Sequence, residues 1–126
     1  MRTVIKSIRP EIEASIEQAN TLEIFQNQTL RPILKFQNEL LIQLMKHYFM
    51  KRKDAFYELK NKEKPKYIDH AIRQDLRFKS QMLGVIIGHF THDEFDLYTQ
   101  HEAELSRRMT DLLCQRIVSQ VEMFVK

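Results

Sequence analysis

The chain has 126 residues, 43% of them hydrophobic, with only two glycines, three prolines and one cysteine. That length and apolar content suit one domain able to bury a core without disulfides, and so little turn punctuation weighs against a β-sandwich or an α/β fold. The formal charge of +3 is uneven: Lys46, Lys51, Arg52, Lys53, Lys60, Lys62, Lys64 and Lys66 face only Asp54, Glu58 and Glu63, a local +5 that leaves −2 for the remainder.

No apolar run approaches the length of a membrane span, and the start MRTVIKSIRPEIE is charged throughout, so a cytoplasmic protein with no membrane attachment is expected. Pro10 suits the first turn of a short helix to about Ala19, with Ile12 and Ile16 on one face. Asn20-Thr21 and Gln26-Asn27-Gln28 then read as loop, leaving residues 1–28 loosely docked on the other helices or on a partner.

Thr29 is placed to cap a helix with Pro32 in its first turn. From Leu30 to about Lys51, the residues Leu30, Ile33, Leu34, Leu41, Leu44, Met45 and Tyr48 recur at helical steps, and Phe36, Leu40 and Phe49 widen the stripe. An apolar arc this broad predicts the central helix of a bundle, with Gln37 a buried or boundary amide. Residues 51–64 are polar apart from Ala55-Phe56-Tyr57 and Leu59, which predict a short helical turn folded over the bundle end.

A second long helix begins near Asn61 or Lys64, with Pro65 in its first turn and Ile68, Ala71, Ile72, Leu76, Met82, Leu83 and Ile86 on its apolar face. Asp75 and Lys79 are four apart there and can pair across one turn. Gly84 and Gly88 fit close helix packing or a kink, the second being placed to end the helix. Thr91 to Glu94 then spells a capping box, flanked by Phe90 and Phe95 at hydrophobic-staple positions. The pattern repeats at Thr99 to Glu102, predicting a bend near Thr99. From Glu102 the stripe Leu105, Met109, Leu112, Leu113, Ile117, Val121 and Phe124 predicts a last helix of about 36 Å. The fold expected is all-α: residues 1–126 as one up-down bundle of three long helices and a shorter N-terminal one.

Three function classes meet this pattern. The leading expectation is a non-enzymatic interaction or regulatory module, acting by self-association or through a protein partner, because broad apolar arcs in a small chain leave surface for a second copy to cover. A metal site is the chemical alternative, since His89, His92 and His101 cluster at the joint with Asp93 and Asp96, while His47 and His70 lie on other helices. No glutamate is followed three residues later by a histidine, which argues strongly against the di-iron site of ferritin-like bundles. Nucleic-acid binding through the basic 46–66 segment, with Arg73, Arg77, Arg107, Arg108 and Arg116, is a third alternative that lacks a helix-turn-helix signature. Cys114 lies in an apolar face and reads as an inert small hydrophobe, so neither a catalytic residue nor a resident cofactor is expected.

FQNQTLRPILKFQNELL (Phe25 to Leu41), AIRQDLRF and the joint GxxxGxFT resemble a family of small all-helical bacterial proteins of unknown function, some of whose members carry the label glyoxalase. The resemblance implies an all-helical fold from about Phe25 onward and carries no catalytic residues. Type-I glyoxalases use paired βαβββ modules, and this sequence offers no strand series and no comparable His/Glu arrangement.

Overall fold

A computed structural model describes residues 16–125, among which every regular element is helical. The helix expected from Pro10, with Ile12 on its apolar face, begins outside the described residues. The expected loops at 20–21 and 26–28 are helix instead. Residues 16–25 form α1, which passes through a π turn, Gln26–Leu30, into α2, Arg31–Phe36, without a break. Buried Leu22, Phe25 and Leu30 anchor this rod. A π turn bonds each carbonyl to the N–H five residues on, here Arg31 N–H to Gln26 O, which suits burial of both Phe25 and Leu30. The polar residues that suggested loop are satisfied in place, Thr21 Oγ1 donating to Glu17 O at 2.8 Å and Arg31 to Asn27 at 2.9 Å. Thr29 therefore caps nothing; its hydroxyl donates to Glu94 at 3.1 Å.

The expected 30–51 helix is kinked. Gln37, at φ −97° and ψ 14°, separates α2 from α3, Asn38–Lys51. Phe49 is fully buried as expected, whereas Phe36 and Leu40 face outward. Beyond α3, Lys53 and Asp54 both take left-handed backbone conformations, and the N–H of Asp54 returns to Phe49 O at 3.0 Å. The 3-10 turn Ala55–Glu58 then folds back as expected, laying buried Phe56 flat on Phe49 with centroids 3.9 Å apart. Tyr57, Tyr67 and Phe124 pack edge-on or tilted around that pair.

The next long helix is also interrupted. Asp75, at ψ 98°, ends α4, Lys64–Gln74, and caps α5, Leu76–Ile87, by accepting from Phe78 N–H at 3.1 Å. The expected Asp75–Lys79 side-chain pair gives way to an ion pair with Arg52 at 2.6 Å, because the carboxylate turns back out of the helix. Leu76, at the break, is exposed. The glycines are not a close-packing device: a Cβ on Gly84 would meet nothing within 4 Å. Gly88 does end α5, its N–H bonding Gly84 O at 2.9 Å.

After the joint come α6, His92–Gln100, and α7, Glu102–Ser119. The chain bends at His101, two residues beyond the expected place, and Thr99 bonds back to Asp96 O rather than capping forward. At 18 residues α7 is about 27 Å long, shorter than expected. Its stripe continues through a 3-10 turn, Val121–Met123, to buried Phe124. α7 packs against α4, α5, α6 and the π turn, so it, rather than the 30–51 segment, is the axis of the core. No helix among the described residues is long and apolar enough to cross a membrane.

Candidate functional site

The joint between α5 and α6 is built as its sequence reads. Thr91 Oγ1 accepts from Glu94 N–H at 3.2 Å, and Glu94 Oε1 accepts from Thr91 N–H at 2.8 Å, closing the capping box. The other oxygen of Glu94 takes the Thr29 hydroxyl, so one carboxylate caps α6 and ties it to the π turn. Phe90 and Phe95 each reach Tyr98, at 5.8 and 6.0 Å between centroids, and Phe90 also meets Phe25 edge-on at 5.5 Å. Phe90 thus ties the joint to α1 and, through Tyr98, to α6.

The three histidines of the joint have separate surroundings. His89 is exposed, stands 2.7 Å from the Gln37 side-chain amide and meets Phe36 edge-on at 5.5 Å. His92, at the first position of α6, faces solvent beside Phe90 and Phe95. His101 lies at the α6–α7 bend with its Nδ1 3.2 Å from the Gln18 amide. His47 lines a cleft between α3 and α5, and His70 a groove with Asp69 and Arg73. Among the described residues, no three His, Cys, Asp or Glu side chains are grouped to hold a metal ion.

The basic segment wraps from the end of α3 to the start of α4. Lys51, Arg52, Lys53, Lys60, Lys62 and Lys66 are exposed, Lys46 is half-buried, and half-buried Lys64 stands 5.5 Å over the Phe56 ring. The arginines elsewhere are mostly occupied by the protein itself. Arg73 joins Asp69 on its own helix to Asp111 on α7, at 3.0 and 2.8 Å, and these bonds raise its already high pKa. Arg107 and Arg108 share Glu104, holding that carboxyl below its ordinary range, Arg107 contributing most. Arg108 also reaches Gln26 at 3.0 Å, and Arg116 reaches Asn38 at 3.3 Å, so two of these side chains bind neighbouring elements to α7.

Several large apolar side chains stand exposed, among them Leu76, Met50 and Phe36, the last of which borders a groove at the α2–α3 kink. Phe36 is 76% exposed and Leu40 44%, four residues apart across the Gln37 kink. Beside Phe36, a shallow groove of about 470 Å³ is lined by Gln28, Thr29, Pro32, Ile33, His89 and Glu94. Counting apolar residues along the segment adds Phe36 and Leu40 to its stripe. At about 100° per residue, however, they lie about 200° and 240° round the helix from Leu34, opposite buried Leu41 and Met45, so helical spacing itself turns them outward. Comparison with family models, curated proteins and solved structures returned no match.

Proposed function

We propose that this chain is a non-enzymatic interaction module, a bundle of interrupted rods that associates with a second copy of itself through the Phe36 surface. The observation that carries the reading is the Phe36 ring, 76% exposed at the rim of an apolar groove. Burying one such ring is worth about 2–3 kcal/mol, and a two-fold contact buries it twice. Leu40, Pro32 and Ile33 supply the apolar surround, while Glu94 and His89 give the groove a polar rim of the kind found at protein interfaces.

The test is sedimentation of the untagged protein over a concentration series, with Phe36→Ser alongside. A dimer that dissociates on dilution, and a variant that stays monomeric with unchanged helical circular dichroism, support the proposal. A wild-type monomer at every concentration, or a dimer indifferent to Phe36→Ser, overturns it.

A further inference from the structure

A second surface, distinct from the Phe36 groove, has the make-up of a ligand site. Tyr48 lies in the last turn of α3 and Arg52 just past its end, and the Arg52 guanidinium lies 3.6 Å over the Tyr48 ring. Asp75, at the α4–α5 break, fixes the same guanidinium by its 2.6 Å ion pair while its other oxygen caps α5. Tyr48 in turn packs on Phe78, with centroids 4.3 Å apart. The result is a cleft of about 240 Å³ with Leu44, Tyr48 and Phe78 as apolar wall and Lys51, Arg52 and Arg77 as cations.

Its electrostatics favour an anion. Lys51, Arg52 and Arg77 against Asp75 leave a charge of +2, and the Asp75 carboxylate is already bonded to Arg52 and to the Phe78 N–H. Among the described residues Lys51 and Arg77 make no ion pair, so their donors are unspent. Arg52 is held over the Tyr48 ring and by Asp75, and a guanidinium carries five N–H donors, of which the Asp75 contact uses one. A planar donor array held in place before binding is the arrangement that recognises phosphate with the least loss of side-chain freedom.

We infer that the α3–α5 cleft binds a small organic phosphate, its dianion held by Lys51, Arg52 and Arg77 and its apolar group set against Leu44, Tyr48 and Phe78. A phosphomonoester carries close to two negative charges at neutral pH, matching the +2 of the cleft. The apolar wall distinguishes such a ligand from free phosphate.

The experiment is a nuclear magnetic resonance titration of ¹⁵N-labelled full chain with phenyl phosphate, benzoate and inorganic phosphate in parallel. Expected are saturable shifts confined to residues 47–52 and 75–81, tightest for phenyl phosphate. Arg77→Glu and Lys51→Glu, both at exposed positions, should each weaken that binding about tenfold or more while leaving helicity unchanged. The inference is overturned if phenyl phosphate gives no saturable shift, if both charge reversals leave it unaltered, or if inorganic phosphate or benzoate binds as tightly. A single-stranded oligonucleotide that displaces phenyl phosphate from the same residues at lower concentration would also overturn it, in favour of a polymer.

Discussion

Cys114 sits 3% exposed on α7, and its burial pushes the thiol from 9.0 up to about 12, against the lowering influence of Arg73. Two outcomes follow from that one environment. In the native protein the thiol should react with an aromatic disulfide reagent only after unfolding, which a comparison of native and urea-treated protein by absorbance will show. The stability contributed by the protonated native thiol is fully present below pH 9.0, where the unfolded thiol is also protonated. It is lost as pH rises from there toward about 12, because the unfolded chain then releases a proton that the native chain keeps. Burial raises Tyr48 and Tyr57 in the same sense. Urea midpoints should therefore fall at alkaline pH, and Cys114→Ala should make that fall shallower.

Between residues and the whole lie the breaks that divide long helices into segments. At Asp75, the carboxylate both caps α5 and pairs with Arg52, so Asp75→Ala removes a cap and an ion pair together. A loss of about 1–2 kcal/mol is expected by chemical denaturation. Asp75→Asn keeps the cap acceptor and should lose less than half as much. The turn after α3 offers the opposite case. Lys53 holds φ at 58° without being glycine, a conformation that costs an L-residue about 1 kcal/mol. Lys53→Gly is expected to recover part of that, seen as a small rise in the urea midpoint. The capping box at Thr91 was legible because its geometry is local, four consecutive residues bonding one another. Asp75 carried a comparable local signal, a capping residue three positions before Phe78, but the apolar stripe running through it favoured an unbroken helix.

For the molecule as a whole, two phenylalanines make opposite predictions. Phe56 is fully buried and stacked on Phe49 where the end of α3, the 3-10 turn, α4 and the C-terminal segment meet. Phe56→Ala should cost about 3–5 kcal/mol, a large share of a small domain's stability of about 5–15 kcal/mol, and denaturation will read it directly. Phe36→Ala removes an exposed ring, so the urea midpoint of dilute protein should move by less than about 0.5 kcal/mol while self-association weakens. Core and surface are thereby separated by two measurements on residues of the same type.

What the amino-acid order alone determined is what local physics determines. Hydrophobic spacing and the scarcity of glycine and proline give helices; the Thr91 box gives a boundary; Ala55-Phe56-Tyr57 gives a turn folded inward. Tertiary structure decided where the rods kink, because Gln37, Asp75 and His101 leave helical geometry to suit partners distant in sequence: His89, Arg52 and Gln18. It also decided that the polar 20–28 stretch is helical, since buried Leu22 and Phe25 hold it and Arg108 meets Gln26 from 82 residues away. The Arg52 cleft arises at such a break, where the turn at Asp75 brings its carboxylate to Arg52, whereas Phe36 lies on the outer face of its helix by helical spacing alone.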